Sequence, residues 1–560
     1  MLMSYNPCTL LGFVALVAPT YSAGNSFPSN TFGRGPGETF VHLFEWSWDD
    51  IAKECEDFLG PKGFRAVQIS PPQEHQVGTS WNARYRPVSF KLVSRSGNES
   101  QLTSMIKRCA AVGVDIYADI VVNQFAGPDG GVGTAGTRFG WRAYGDDFTP
   151  EDFHHLPGDS MSNCGVDNYN DVRNVQYCDL EGMSDVCTGC PWMQEKIAAY
   201  VNRLHDLGVK GIRIDAAKHQ NATELHFLMN KFNPNLYRFL EVFANYGEAV
   251  QPPMYLPPKV SLGQVTCFAF GFNLGPKFKG DSMLKDDLLT FGIKDTWVLD
   301  DSMGMPSSDA VVFVDNQDTQ RADAPLTFQR DPVLYTLATA FMLAWPFGYP
   351  KIMSSYYWTD VEEGAPGVPV HHQDKVHCGD GVNWVCEHRN TLIANMVNFR
   401  KSAGDAPITH FSTEKGNFLS FCRGSNACLV INKNSFPMDS TIQTDLPEGR
   451  YCDVSLSDSA DCPFVEVRHD GSVSIKVERM SAVAFHIGKR PGLAANATLM
   501  SWCLPRWWSL VLGAVCLLLV LATCKYLGKK VLVQRVSPGS GAGYFKLLAG
   551  TDEHEKCMGA

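Results

Sequence analysis

Short apolar segments alternate with helix-length amphipathic stretches along most of the chain. The first apolar segments cover residues 40–46, 66–70, 114–122 and 209–214. Segments of this length and spacing are typical of buried parallel strands in βαβ units. A doubly wound sheet and a closed barrel both fit, but polar clusters follow successive strands, which is where barrel enzymes build their sites. We therefore predict an α/β fold with a (β/α)8 TIM barrel over residues 36–405.

The alternation changes in two places. Between residues 124 and 188 the pattern breaks and glycine becomes frequent. A structureless loop of that length is uncommon in a compact domain, so we predict an inserted subdomain over 124–188. After Ala403 the pattern becomes short alternating strands with turn signals, which predicts a C-terminal antiparallel β domain over 406–489.

Apolar runs near both ends predict targeting and membrane segments. The run from Leu10 to Ala18 precedes small residues, so we expect a signal peptide over 1–23; an N-terminal anchor is the alternative, but the run is short for one. A second run, beginning at Trp507, predicts one transmembrane helix over 507–527, after a stalk over 490–506; a buried core helix is the alternative. Basic residues follow in the tail over 528–560, namely Lys529, Lys530 and Arg535. The positive-inside rule then predicts a single-pass type I protein whose barrel is extracellular or luminal, at the cell surface or in a digestive vacuole.

Composition and cysteine content limit the class of partner and the compartment of the protein. With 560 residues and 44% hydrophobic content, the chain can bury a large core, and its net charge of −11 argues against a nucleic-acid partner. Most of its 18 cysteines precede residue 463, and an extracytosolic compartment would let them pair. Proximity favours Cys187 with Cys190 and Cys422 with Cys428, and leaves Cys267 unpaired, although sequence alone does not fix connectivity. A redox or zinc role for the first pair is less favoured, because no second pair follows at metal-ligand spacing.

Four strand-like segments end in polar clusters: 119–124, 211–219, 239–242 and 313–318. Glycoside cleavage with retention needs one ionised carboxylate as nucleophile and one protonated carboxyl as acid. Asp215 suits the nucleophile, because Arg213 points the same way two residues earlier and favours its charged form. Glu241 is flanked by the apolar residues Leu240, Val242 and Phe243. Such surroundings predict a raised pKa, which suits a proton donor. Asp318 supplies a third carboxylate.

The order and local sequence of these four segments resemble the signature regions of the alpha-amylases. Residues 41–46, 84–89, 95–99, 353–356 and 384–389 extend the resemblance, which covers roughly Thr39 to Lys489 and is closest to the animal enzymes. It implies a hydrolase that cleaves internal α-1,4-glucosidic bonds of starch or glycogen with retention, and together with the predicted span at 507–527 we expect a membrane-anchored monomer. Two alternatives remain open: a transglycosylating or oligosaccharide-specific enzyme of the same family, and a non-catalytic amylase-like binding ectodomain. The complete acid set and the C-terminal position of the anchor count against the last.

The resemblance also implies roles for individual residues. Asp215, Glu241 and Asp318 are nucleophile, acid/base and stabiliser. The implied substrate contacts are Trp81, Tyr85, Gln124, Arg213, Lys218, His219 and Gln317. Calcium is expected at the side chains of Asn123 and Asp185 and the main-chain carbonyls of Gln176 and His219, and chloride at Arg213, Asn316 and Lys351. The implied disulfides are Cys55 with Cys109, Cys164 with Cys178, Cys378 with Cys386, and Cys452 with Cys462.

The chain departs from the family pattern close to the expected sugar site. Gln124 and Gln317 stand where alpha-amylases usually have histidine, and Asn82 stands where a second tryptophan is expected. The glycine-rich mobile loop of the animal enzymes is missing after Arg321. An amide donates and accepts hydrogen bonds but cannot become cationic, so contacts near the anomeric carbon are predicted to differ.

Overall fold

Eight parallel strands close into a barrel, as predicted. The structure is a computed structural model that describes residues 37–492 except 246, 258, 281–304, 323, 374 and 414–416, together with the backbone of 531–534 and 546–549. The strands are Phe40–Leu43 (β1), Ala66–Ile69 (β2), Asp115–Ile120 (β3), Gly211–Ile214 (β4), Tyr237–Leu240 (β5), Gln264–Cys267 (β6), Ala310–Val312 (β7) and Tyr349–Ser354 (β8). Each strand pairs with the next along the chain, and β8 closes the barrel on β1 with Phe40 opposite Lys351.

Helices follow most of the strands, as expected for βα units. They are Trp48–Glu54 with its continuation to Lys62, Glu99–Ala111, Pro191–Leu207, Ala222–Met229, Phe268–Lys279, Pro332–Ala344 and Thr391–Ala403. The helix Glu99–Ala111 shows why these segments are helical: Asn98 and Gln101 form a capping box, and Leu102, Met105 and Cys109 recur at helical spacing on the buried face. Short 3-10 turns lie at Trp81–Tyr85, Pro150–Asp152, Leu180–Gly182, Ala217–His219, Pro252–Tyr255, Ser307–Asp309, Thr319–Arg321 and Glu387–Arg389.

The barrel interior is apolar at one end and polar at the other. Its apolar plug consists of Phe40, Ala66, Tyr117, Tyr237, Phe239, Val311 and Tyr349. Gly211 leaves room for this plug, because a Cβ there would lie 2.6 Å from the Tyr117 ring and 2.9 Å from the Tyr237 ring. Two residues further along four of the strands, the inward positions are polar and buried, namely His42, Gln68, Asp119 and Arg213. This polar layer forms the floor of the site at the carboxyl ends of the strands.

A small subdomain lies between β3 and the helix Pro191–Leu207. Gln124–Phe125 pairs with Ser184–Asp185, and a three-stranded sheet contains Gly131–Val132, Arg138–Gly140 and Ala143–Tyr144. One helix, Val172–Tyr177, completes it. Phe125, Tyr144 and Phe153 pack together in its core, with ring centroids 5.0–5.6 Å apart. Two further hairpins, Val93–Ser94 with Gly97–Asn98 and His371–His372 with Lys375–Val376, lie elsewhere in the barrel loops.

The predicted C-terminal antiparallel β domain is confirmed. A four-stranded sheet contains Ile408–Ser412, Phe418–Arg423, Ala427–Asn432 and Ser481–His486. Two further pairs join Met438–Gln443 to Ser472–Val477 and Gly449–Cys452 to Phe464–Val467. Val430, Tyr451, Val467, Val473 and Phe485 belong to the core of this domain.

Six disulfides confirm every predicted pairing. They join Cys55 to Cys109, Cys164 to Cys178, Cys187 to Cys190, Cys378 to Cys386, Cys422 to Cys428 and Cys452 to Cys462. Cys267 is buried and free, as expected.

The predicted segments at the two ends lie largely beyond the described residues. These are the signal peptide over 1–23, the transmembrane helix over 507–527, and most of the stalk and tail. Within the tail, Val531–Gln534 pairs with Lys546–Ala549 in an antiparallel hairpin. The part of the chain that is described contains no helix both long and apolar enough to cross a membrane.

Candidate active site

The three predicted catalytic carboxylates lie past the ends of three barrel strands. Asp215 follows β4 and Glu241 follows β5, and these two strands are neighbours in register. Asp318 lies beyond β7 at the N-cap of the turn Thr319–Arg321. Because parallel strands end at the same face of a barrel, this topology brings side chains distant in sequence to one site.

One guanidinium group connects two of these carboxylates to a third acid. Arg213 Nη1 donates to Asp119 Oδ1 at 2.6 Å and to Asp215 Oδ1 at 2.7 Å. Arg213 Nη2 lies 2.5 Å from Glu241 Oε1. Asp215 and Glu241 therefore lie close together, since both contact the same planar group. Burial alone would lower the pKa of Arg213, but Asp119, Glu241 and Asp215 raise it well above its usual value.

The order of the two catalytic pKa values differs from the sequence-based expectation. Burial raises the pKa of Asp215 well above its usual value, and Arg213 only partly opposes this rise. Burial also acts to raise the pKa of Glu241, but Arg213 and a hydrogen bond from Ala216 N outweigh it and lower that pKa. The expectation that Glu241 has the raised pKa is therefore wrong for the substrate-free site. Burial does act to raise the pKa of Glu241, as expected. The pKa is nevertheless lowered, because the side chain of Arg213 on β4 contacts Glu241 at the end of the neighbouring strand.

A strained turn aims a backbone donor at Glu241. Ala216 adopts φ 47 and ψ 34, in the left-handed region that non-glycine residues rarely occupy. Its N–H donates to Glu241 Oε2 at 3.0 Å, and Lys218 N donates to Glu241 O at 3.2 Å. Such strain is commonly found at functional sites. The turn after β4 therefore orients the predicted acid.

Asp318 lies in a loop that Asn316 organises. Asn316 Oδ1 accepts from Asp318 N at 3.1 Å and from Thr319 N at 2.8 Å, and Asn316 Nδ2 donates to Asp318 Oδ2 at 3.4 Å. Burial and the nearby charge of Glu241 raise the pKa of Asp318 to about 7. A neutral carboxyl can both donate and accept, which suits contacts with sugar hydroxyls.

One flank of the site is aromatic. Tyr85 Oη donates to Asp119 Oδ2 at 3.2 Å, and the Trp81 and Tyr85 ring centroids are 5.9 Å apart. Gln124 Nε2 donates to Tyr85 O at 3.1 Å and lies 3.5 Å from Asp215 Oδ2. Gln124 Oε1 and Gln317 Oε1 are buried and find no donor among the described residues. The structure thus brings Tyr85 and Gln124 to the acids of the site, places Trp81 against Tyr85, and buries Gln317 next to Asp318.

The opposite flank carries a cation. Lys218 Nζ lies 2.5 Å from Glu248 Oε2 and 4.4 Å from the centroid of the Tyr169 ring. The His219 ring packs on the same Tyr169 ring, with centroids 6.1 Å apart, and its Nδ1 lies 2.9 Å from Val175 O in the inserted subdomain. The structure therefore places Lys218 beside the site, whereas the His219 ring contacts the subdomain.

The predicted calcium ligands form two neighbouring pairs, Asn123 with Asp185 and Gln176 with His219, whose Nδ1 lies 2.9 Å from Val175 O. Asn123 O accepts from Val186 N at 2.8 Å, next to Asp185, and Asp185 Oδ2 lies 2.6 Å from His154 Nδ1. Tyr255 Oη donates to the carbonyls of Lys218 and Gln220, on either side of His219, and accepts from Gln176 Nε2. Asn123 Oδ1 is buried and has no partner within the described part of the chain, and burial raises the pKa of Asp185 to about 7.

Those oxygens fit a calcium ion. Calcium prefers hard oxygen ligands, and an orphaned buried amide oxygen beside a desolvated carboxylate lacks such a partner. The described residues contain no group of three or more histidine, cysteine, aspartate or glutamate side chains that could hold a metal. The predicted ligand set does not require one, because it contains a single carboxylate, an amide and two carbonyls.

The predicted chloride site also has an unpaired cation. Lys351 is buried, and among the described residues no carboxylate lies within 4.0 Å of its ammonium group. Burial and the charge of Arg213 lower the pKa of Lys351 to about 8. His42 is buried nearby on β1, with both ring nitrogens lacking partners within the same described region. A buried ammonium beside a guanidinium fits an anion as neutralising ligand.

Sequence reasoning missed three residues of this site. Asp119 points into the barrel from β3, as does Tyr117 two positions earlier, so the period-two alternation of a strand would have identified it. Glu248, the partner of Lys218, and Arg321, which contacts Trp81, come from loops whose arrangement the local sequence does not indicate. Their contacts depend on the folded chain.

Comparisons with known proteins agree with this geometry. Residues 408–488 match the alpha amylase C-terminal all-beta domain. An alpha-amylase of Pecten maximus is 37% identical over 519 residues, covering 86% of this chain and 98% of that protein. An alpha-amylase-related protein of Drosophila teissieri is 37% identical, covering 75% of this chain and 86% of its own length. A crystal structure of an Eisenia fetida alpha-amylase I variant with maltohexaose has a TM-score of 0.73 at 32% identity, covering 81% of this chain and 99% of that one.

Proposed function

Because this chain belongs to the alpha-amylase family of glycoside hydrolases, we propose that it hydrolyses internal α-1,4-glucosidic bonds of starch or glycogen with retention of configuration. The observation that carries the proposal is the contact of Arg213 with Asp119, Asp215 and Glu241 at the ends of neighbouring strands. Retaining enzymes hold their two catalytic carboxyl groups about 5 Å apart. The shared contact of Asp215 and Glu241 with one guanidinium is consistent with that spacing, and the complex of the Eisenia fetida enzyme with maltohexaose supports an α-glucan substrate.

The residues divide the reaction between them. Asp215 attacks the anomeric carbon while Glu241 gives its proton to the departing glycosidic oxygen, so that a glycosyl ester forms as the glycosidic bond breaks. Glu241 then takes a proton from water, whose oxygen displaces Asp215 at the same carbon. Two inversions leave the configuration unchanged. Asp318 holds sugar hydroxyls beside the carbon that develops positive charge.

The charge state of Glu241 must change before it can act as the acid. In the free site Arg213 and Ala216 N hold its carboxylate ionised, whereas a donor must carry a proton. Glu241 must therefore gain a proton before it can donate one to the glycosidic oxygen.

Two inorganic ions complete the proposed enzyme. Calcium at Asn123, Asp185 and the carbonyls of Gln176 and His219 would fix the inserted subdomain to the barrel. Chloride at Arg213, Asn316 and Lys351 would neutralise positive charge next to the acids. In the protein itself, His154 Nδ1 lies 2.6 Å from Asp185 Oδ2, and Asp185 pairs in the sheet with Gln124, the residue after Asn123.

We also propose that the barrel is extracytosolic and anchored by one C-terminal span. Six disulfides support an oxidising compartment. Protease added to intact cells should remove the barrel and spare the tail. Loss of the tail with a protected barrel would reverse the orientation.

Starch cleavage by the full-length chain tests the proposed activity. Reducing ends should appear from soluble starch and from maltooligosaccharides, with calcium and chloride present, and proton NMR should show the α-anomer first. Asp215→Asn, an isosteric control, should lose this activity. A parent protein inactive on every α-glucan would refute the hydrolase, and an active Asp215→Asn would refute the nucleophile.

A further inference from the structure

A guanidinium group closes one flank of the site, and it has no carboxylate within 4.0 Å among the residues that the structure describes. Arg321 Cζ lies 5.1 Å from the ring centroid of Trp81, 5.1 Å from Tyr356, 5.3 Å from Trp358 and 5.5 Å from Phe44. These rings come from the loops after β1, β2 and β8, whereas Arg321 follows β7. Cation–π contacts of this kind hold a cation among aromatic faces without a salt bridge.

The hydrogen-bonding capacity of Arg321 is mostly unused. Nη1 donates to Gln317 O at 3.0 Å, and a hydrogen bond to the Tyr356 hydroxyl acts to raise the pKa of Arg321, whereas Nε and Nη2 are buried and make no hydrogen bond of good geometry with the described residues. Four positions earlier, Gln317 Oε1 is buried and lacks a donor in the same described region. Buried donors and acceptors in native proteins are nearly always satisfied. A ligand that both donates and accepts, as a sugar hydroxyl does, would satisfy this pair of side chains.

The surrounding wall is held rigidly. Trp81 Nε1 donates to Val361 O at 2.9 Å, and Asn82 Nδ2 donates to Glu362 Oε2 at 2.6 Å. Gly364 packs so closely that a Cβ there would lie 1.9 Å from Thr79 O. The indole N–H is therefore engaged within the protein, and it cannot also hydrogen-bond a sugar. Arg321 adds the donors Nε and Nη2 to this wall.

The position of the acid shows which part of the substrate this wall faces. Glu241 must face the departing sugar, and Lys218, whose N donates to Glu241 O, lies on that side with Glu248. Tyr85 Oη donates instead to Asp119, and the Trp81 ring packs on Tyr85, on the other flank. Arg321 contacts Trp81, so it faces the non-reducing side of the glucose that Asp215 attacks.

We propose that Arg321 binds the sugar unit next to the attacked glucose, on its non-reducing side, through Nε and Nη2. This inference rests on the proposed function and names a specificity-determining residue for it. The ligand is a neutral sugar hydroxyl, because such a group can accept from Arg321 and donate to Gln317 at once. The four aromatic rings hold the guanidinium group of Arg321 in place before substrate arrives, so little side-chain entropy is lost on binding.

Glycosyl fluorides of two lengths separate this role from an effect on the acids. α-Glucosyl fluoride places a sugar only at the attacked position, whereas α-maltotriosyl fluoride adds two units on the non-reducing side. Replacement of a charged hydrogen-bond donor by Arg321→Met should lower kcat/KM about 10- to 100-fold for the trisaccharide and by less than about 2-fold for the monosaccharide. Arg321→Lys should give an intermediate loss, because an ammonium keeps the charge but not the planar fork.

A nearby arginine provides the matched control. Arg330 donates to Thr327 Oγ1 and Ala324 O and contacts none of the four rings, so Arg330→Met should leave both fluorides unaffected. Circular dichroism checks folding, and Arg321→Lys answers the question if the methionine variant does not fold.

The possible outcomes distinguish a failure of the Arg321 proposal from a failure of the proposed hydrolase function. Equal losses for both fluorides would overturn the proposal, because Arg321 would then act through Asp318. No loss for the trisaccharide would overturn it as well. A parent protein that cleaves neither the fluorides nor starch would instead refute the proposed function on which this role rests.

Discussion

Removal of the Arg213 charge should shift the pH dependence of catalysis. Arg213→Met deletes the cation that lies 2.6 Å from Asp119, 2.7 Å from Asp215 and 2.5 Å from Glu241. The positive charge favours the ionised form of Asp215, which is the form that attacks. Its loss therefore raises the pKa of Asp215 further above the ordinary value, and less of the nucleophile is ionised at neutral pH.

The size of this effect follows from the short contact. An opposite charge within 4–6 Å typically lowers a carboxyl pKa by about 1–3 units. Since each unit changes the ionised fraction tenfold below the pKa, kcat at pH 7 should fall about 10- to 1000-fold. The acidic limb of the pH–rate profile should move upward by the same 1–3 units. Activity of the variant should then recover as the pH rises towards 9.

A second buried arginine controls for lost stability. Leaving buried carboxylates without their cation destabilises a protein by about 3–5 kcal/mol. Arg84→Met causes a comparable loss, because Arg84 is buried and lies 3.2 Å from Glu45, but it does not contact Asp215. Its pH–rate profile should stay in place. The assay is starch hydrolysis from pH 5 to 9, with denaturant unfolding of both variants.

Two results would refute this reasoning. If Arg213→Met kept the parent rate at pH 7, the guanidinium would not control the nucleophile. If both arginine variants moved the acidic limb equally, general destabilisation rather than the Asp215 contact would be responsible.

Three further predictions concern other parts of the molecule. Replacing Gln124 by histidine should raise kcat on starch about 5-fold, because an imidazole N–H can donate where Oε1 only accepts; an unchanged rate and product profile would contradict this. Glu54→Gln should cost about 3–5 kcal/mol of unfolding free energy at pH 7, because Glu54 is buried in a cluster of two histidines and an arginine. Because the folded-state pKa of Glu54 is lowered, its contribution to stability is complete above about pH 5 and should shrink progressively below pH 4.5. A difference in unfolding free energy between parent and variant that stayed constant from pH 7 to pH 3 would contradict this. Chelation of calcium should lower the Tm of the parent but not of Asn123→Leu, and equal shifts would exclude Asn123 as a ligand.

The barrel and the positions of its acids could be predicted from local sequence. Asp215 and Glu241 each follow a short apolar strand, and strand ends meet at one face of any barrel. Cys187 and Cys190 could be paired from proximity, because they are three positions apart in the chain. These features depend on residues near one another in the chain.

Other features depend on side chains that meet only after folding. The lowered pKa of Glu241 comes from Arg213, which reaches across from the neighbouring strand, so the apolar residues around Glu241 gave the wrong direction. Arg321 has its aromatic partners at Phe44, Trp81 and Tyr356, in three different loops. No local pattern indicates such a cluster, because each aromatic residue taken alone is ordinary core.

Covalent trapping of the nucleophile tests the central claim most directly. The full-length protein would be incubated with a fluorinated α-glucosyl fluoride whose glycosyl-enzyme hydrolyses slowly, digested, and analysed by mass spectrometry. The account predicts a single glycosyl group on the peptide that contains Asp215, and none in Asp215→Asn. A label on the peptide of Asp119 or Asp318, or full turnover of substrate with no trapped intermediate, would contradict it.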